Sequence, residues 1–224
     1  MKILAIDTAT ERCSVALRLG TLCVERAVDI ARGHADLVLP MVEEVLREGG
    51  MALRELDGIA YGRGPGAFTG VRIAIGVVQG LAFGADLPTV GISNLAAVAQ
   101  EAADQTRNAG SRILVCMDAR MSEVYWGIFS IGENGLVKAE GDERVSRPGI
   151  VSAHDVSVLA GTGFKAYSEL RERNPDAPVY DHALPHAREI ALLGEAELQA
   201  GRGQPAARAQ PVYLRDQVTF VKAV

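Results

Sequence analysis

The chain has 224 residues, 48% of them hydrophobic but only 5% aromatic, with 24 glycines and a formal net charge of −5. That length gives one large domain or two small lobes around a mostly aliphatic core, and the acidic balance argues against a protein that grips nucleic acid alone. Cys13, Cys23 and Cys116 lack metal-type spacing and read as buried reduced thiols; the sequence offers neither a signal-type apolar region nor a run of membrane-spanning length, which predicts a cytoplasmic protein.

Lys2 to Asp7 is an apolar strand ending in an acid, followed by the turn Thr8, Ala9, Thr10, Glu11. Strands over Cys13–Leu19 and Leu22–Ile30 complete an antiparallel meander. A helix then runs from His34 to about Glu48 and stops at Gly49-Gly50. Its apolar stripe is wider than one core-facing side needs. Pro40 falls early in it, so the helix either starts near Leu39 or bends where residue 40 cannot donate.

Ile59 to Tyr61 ends a strand leading into GRGPGAFTGVRIAIGVVQGLAFG, residues 62–84. The first part is a loop with Gly62, Gly64, Gly66 and Gly70 around Pro65, which predicts close backbone approach or positive φ. The second part predicts a helix from about Gly70 to Phe83, with Thr69 as N-cap. Gly76, Gly80 and Gly84 recur every four residues along it. Each costs roughly 1 kcal/mol against alanine, so a neighbouring backbone should come close there. A glycine loop before a helix also fits an anion site, with Arg63 and Arg72 as holders, but the Lys-Ser/Thr pair of a P-loop is missing. Close packing explains the same glycines.

A strand over Pro88–Ile92 and a Ser93-capped helix over Asn94–Thr106 follow, and 108–111 read as a boundary. The order then restarts. Strands are expected over Ile113–Asp118, Glu123–Ile131 and Leu136–Val145, a short helix at Pro148, and a strand over Val156–Ala160 ending in Gly161-Thr162-Gly163. A helix over Phe164–Arg173 and a last long helix over Pro185–Ala200 come next. A small-residue loop leads to a closing segment over Pro211–Val218. The repeated order and the strand-ending acids Asp7 and Asp118 suggest an internal duplication.

The runs ILAIDTAT with CSVAL, GRGPGAFTGVRIAIG with GLAFG, MDARMSEVYWG and PVYLRD together resemble the TsaB family over nearly the whole chain. The resemblance implies a two-lobed α/β fold of the actin, sugar-kinase and Hsp70 type with ribonuclease-H-like repeats. Each lobe has a mixed sheet with flanking helices, over residues 1–107 and a reduced 108–224. It implies a non-catalytic partner of TsaD in forming threonylcarbamoyladenosine next to the anticodon of tRNA. TsaD performs the transfer from threonylcarbamoyl-adenylate, TsaE is a third component, and tRNA is met through the complex. It also implies a heterodimer with TsaD, a homodimer when alone, and no membrane. Ala67 stands where the family usually has serine.

On this reading the two first-lobe helices dock a partner. The interface residues are His34, Leu37, Val38, Met41, Val42 and Val45 on one helix, and Arg72, Ile73, Gly76, Val77, Gly80 and Gly84 on the other. No catalytic, cofactor or metal residue is assigned. Two alternatives stay open. One is an ATP-dependent phosphotransferase or hydrolase with Asp7 and Asp118 on Mg²⁺; against it, Ala9 replaces a phosphate-loop glycine and Ala119-Arg120 follow Asp118, while Gly161 and Gly163 fit a remnant adenosine loop. The other is a glycoprotease-like metallopeptidase, which rests only on the family's kinship with glycoprotease-like proteins; the one His-x-x-x-His spacing of the TsaD type, His182 and His186, is split by Pro185. His34 and His154 have no ligand companions.

Overall fold

In the computed structural model, which describes residues 1–215, two mixed sheets are built to one plan. β1 (Lys2–Asp7), β2 (Arg12–Leu19) and β3 (Leu22–Asp29) form the expected antiparallel meander. β4 (Gly58–Gly62) and β5 (Thr89–Ile92) add in parallel beside β1, giving the order β3-β2-β1-β4-β5. β6 (Arg112–Asp118), β7 (Val124–Ile131) and β8 (Val137–Ala139) repeat the meander. β10 (Val158–Ala160) and β11 (Val179–Tyr180) repeat the parallel edge, giving β11-β10-β6-β7-β8. The strand expected over Leu136–Val145 is split: β8 and β9 (Arg144–Ser146) pair with opposite ends of β7.

Alternation along β1 explains the layers, since successive side chains point to opposite faces. Leu4 and Ile6 join a core with α1 (His34–Glu48) and α2 (Phe68–Ala85). Ile3 and Ala5 join a separate core with α6 (Ala187–Gln199). α6, from far along the chain, thus returns to cover the first sheet. α3 (Asn94–Thr106) stands between the sheets; Ser93 caps it by accepting from the amides of Leu95 and Ala96. Its Ala97 joins the first-sheet core, and Leu95, Val98 and Ala102 pack on Ile113, Val115 and Phe129 of the second. The outer face of the second sheet is covered by Phe164 of α4 (Gly163–Ala166) and Leu170 of α5 (Glu169–Glu172), two short helices where one was expected. Pro148–Ile150 is one 3₁₀ turn.

α1 contains Pro40 and runs through it from His34. Both Pro40 and Asp36, whose carbonyl loses that bond, are exposed, so the defect faces water. α2 starts earlier than Thr69 implies. Ala67 is its N-cap, with extended backbone and no side-chain bond to the orphan amides. Residues 211–215 carry no strand, and 216–218 of the closing segment lie outside the described residues. Ala67→Ser restores a capping hydroxyl at an exposed position. It should raise stability by about 1 kcal/mol, or Tm by about 2–4 °C for a chain of this size. Thermal denaturation checks this, and an unchanged Tm would mean that α2 does not need the cap.

Candidate functional site

The glycine loop presses onto the turn that follows β1. A Cβ at Gly62 would overlap the Asp7 carboxylate, one at Gly66 the Ala9 carbonyl, and one at Gly70 the Thr8 carbonyl. Hydrogen bonds close the seam: the Ala67 amide donates to Ala9 O at 2.7 Å and the Thr8 hydroxyl to Gly70 O at 2.7 Å. Asn94, from α3, donates to Asp7 Oδ1 at 2.6 Å and accepts from the Gly64 amide at 2.8 Å. The loop glycines therefore serve close packing within the chain.

The arginines of the anion reading are engaged differently. Arg72 lies over the Phe68 ring, its guanidinium carbon 3.2 Å from the centroid, while Arg63 is half-buried with its Nε unpartnered.

Asp7 is fully buried behind this seam. Burial pushes its pKa up to about 6, against the bonds from Asn94 and the Ala9 amide and the charge of His186, which lower it. Asp118 accepts from the Arg120 amide and the Tyr167 hydroxyl and pairs with the Arg120 guanidinium. Gly161 and Gly163 pack on the Cys116 backbone. Both acids of the nucleotide alternative are thus occupied in holding turns.

The histidines diverge. His182 is exposed and pairs with Asp181, whereas His186 is the N-cap of α6, bonded through one ring nitrogen to Arg12 and through the other to Glu25 at 3.2 Å. Burial works against a charged His186, but the Glu25 carboxylate outweighs it and the pKa ends raised. His34 ties the start of α1 to Thr10 O at 2.9 Å. Among the described residues no group of three or more His, Cys, Asp or Glu side chains could hold a metal ion. Cys13 and Cys116 are buried and Cys23 half-buried, all free; burial pushes the Cys13 thiol up to about 11.

The interface candidates divide by burial. Val38, Val42 and Val45, expected at the interface, belong to the core beneath α1 and cannot meet a partner, because the middle of the wide apolar stripe faces the sheet. His34, Leu37 and Met41 are half-buried. On α2 the row Phe68, Arg72, Gly76, Gly80, Gly84 is exposed, with half-buried Ile73 and Val77 alongside. Among the described residues no close neighbour is found at Gly76, Gly80 and Gly84, where a Cβ would meet nothing within 4 Å.

Two large exposed residues escaped the sequence reading: Phe68 at 62% and Phe83 at 85%. Phe83 lies three residues from Gly80 and seven from Gly76, a helical spacing that marks it on the glycine side. Phe68 was hidden by starting the helix two residues late. α2 is also, at 18 residues and a mean hydropathy of 1.5, long and apolar enough to cross a membrane by length and composition. This corrects the expectation that no run is; its inward row packs on the first sheet.

A family model described as TsaD, tRNA N6-adenosine threonylcarbamoyltransferase, matches residues 28–152. The tRNA threonylcarbamoyladenosine biosynthesis protein TsaB of Escherichia coli K12 is 41% identical over 232 residues, covering 99% of this chain and 98% of that one. The protein of that name from Haemophilus influenzae is 37% identical over 99% of this chain and 97% of its own. The solved structure of YeaZ from Pseudomonas aeruginosa superposes with a TM-score of 0.87 at 44% identity, covering 95% of this chain and 99% of that one.

Asp7 gives a pH test. Its folded pKa of about 6 exceeds the ordinary 3.8, so its contribution to stability is full below pH 4 and is lost as pH rises through 6. At 1.36 kcal/mol for each tenfold change in proton affinity, the loss is roughly 3 kcal/mol. The stability of Asp7→Asn relative to the parent should therefore improve by that order between pH 4 and pH 7.5 in urea titrations. A difference that stays constant with pH would show that Asp7 does not titrate in this range.

Proposed function

The chain belongs to the TsaB family of tRNA threonylcarbamoyladenosine biosynthesis proteins, and we propose that it serves there as the non-catalytic partner of TsaD, docked through α1 and α2. It takes part in forming threonylcarbamoyladenosine in tRNA. Transfer from threonylcarbamoyl-adenylate is the work of TsaD, with TsaE as third component; this chain supplies a surface and meets tRNA through the complex, in the cytoplasm.

The observation that carries this is the open glycine row of α2. Gly76 and Gly80 in the helix interior cost the isolated chain about 1 kcal/mol each, and among the described residues nothing approaches them or Gly84. A second helix laid along the row would bring backbones close, with ridges meeting grooves. The occupant follows from the TsaD family match over residues 28–152, which spans α1 and α2. A TsaD protein on this basis carries counterparts of both helices, and two like faces pair about a pseudo-two-fold axis. In the absence of TsaD, a second copy of this chain occupies the same face. On this reading the docking residues are Leu37, Met41, Arg72, Ile73, Val77 and the three glycines, with His34 holding the start of α1.

Omitting the chain from a reconstituted threonylcarbamoylation mixture should abolish modification, and light scattering should show a heterodimer replacing a homodimer when TsaD is added. Gly80→Leu should abolish pairing while leaving the fold intact, since its side chain enters open space. Unchanged TsaD binding by Gly80→Leu would sink the docking face, and modification indifferent to the chain would sink the functional reading.

A further inference from the structure

The segment 211–215 touches both halves of the molecule. On the first, the Val212 amide donates to Arg63 O at 2.8 Å, and just before it the Gln210 amide donates to the Tyr61 hydroxyl at 3.1 Å. On the second, the Arg215 guanidinium donates to Ala119 O at 3.1 Å and to Glu123 at 2.6 Å. Between these anchors Tyr213 stacks on Phe68, ring centroids 5.6 Å apart and 26° from parallel, with the Arg72 guanidinium carbon 5.1 Å from the Tyr213 ring. Phe68 and Arg72 begin the exposed row of α2. The head of the glycine row is therefore shared between α2 and a strap that reaches the second lobe.

The far end of the strap holds a loop that needs holding. Arg120, Met121 and Ser122 all have left-handed backbone, with φ of 59, 54 and 57°. Such conformations cost of order 1 kcal/mol or more each in non-glycine residues and persist where surrounding contacts fix them. Arg215 supplies such contacts on both sides of the three, at Ala119 and Glu123, and its guanidinium also lies 3.8 Å from Met121 Sδ.

We propose that Phe68, Arg72 and Tyr213 anchor the TsaD contact and that docking there immobilises the strap, fixing the 119–123 loop of the second lobe. This rests on the docking reading above. Aromatic and arginine side chains at the head of an apolar face are the residues that dominate protein contacts. Arg72 is the single charged residue of α2, and a carboxylate on the docked TsaD helix would complement it. The docked partner thereby reaches a loop on the other lobe that it does not touch.

Hydrogen exchange on the full chain, alone and saturated with TsaD, tests the coupling. Exchange should slow at least tenfold in α2 and also at 119–123. Arg215→Ala frees the strap from the second lobe without altering α2, and should keep the protection of α2 while losing that of 119–123. Protection of α2 with no change at 119–123 in the parent chain overturns the coupling alone. Protection of 119–123 that survives Arg215→Ala also overturns it, because the partner would then touch the loop directly. Protection of neither overturns the docking reading and the coupling together.

Discussion

The contact between the glycine loop and the turn after β1 is the constraint on which the rest depends. Gly66 and Gly70 bring their backbone directly onto the carbonyls of Ala9 and Thr8, and Gly62 leaves room for the Asp7 carboxylate. The contact sets where α2 begins, because Ala67 is both its N-cap and a donor to Ala9. It also recruits α3, whose Asn94 bonds Asp7 and Gly64 at once. One seam thus fixes the start of the exposed helix and joins it to the helix that stands between the two sheets. Its cost is a carboxylate held away from water, which is why Asp7 resists ionisation.

The same seam bears on what the chain does. On the nucleotide alternative, Asp7 at the end of the first strand would meet a phosphate-bound cation. Here it is enclosed by its own neighbours, while the apolar surface that the fold leaves uncovered lies on α2.

Much of this was legible beforehand. The meander, the glycine loop and the capped α3 each rest on local signals: alternation, punctuation by glycine, and a serine before an alanine-rich run. The repeated strand order was visible because Asp7 and Asp118 end equivalent strands. What was not legible depended on partners distant in sequence. Nothing local to Val38, Val42 and Val45 says which side of a wide stripe meets a sheet. Gly62 and Gly80 look alike as letters, yet one is pressed against a carboxylate and the other faces open space. Tyr213 stacking on Phe68 joins residues 145 positions apart, and no pattern within either segment announces it.

The return of α6 to the first sheet has a consequence for synthesis. Ile3, Ala5, Ala16, Ala60 and Val90 all precede α6, at positions 187–199, which covers them. While the chain emerges from the ribosome, that face of the first sheet therefore lacks its α6 cover, with Ala97 of α3 and the segment at Leu136 and Val137 able to meet it sooner. Transiently exposed apolar surface of this kind is where nascent chains aggregate, and contacts across such a sequence separation slow folding. The first sheet is thus completed by a helix far downstream of its strands, so a ribosome that stalls before residue 187 leaves behind a fragment whose first sheet lacks α6.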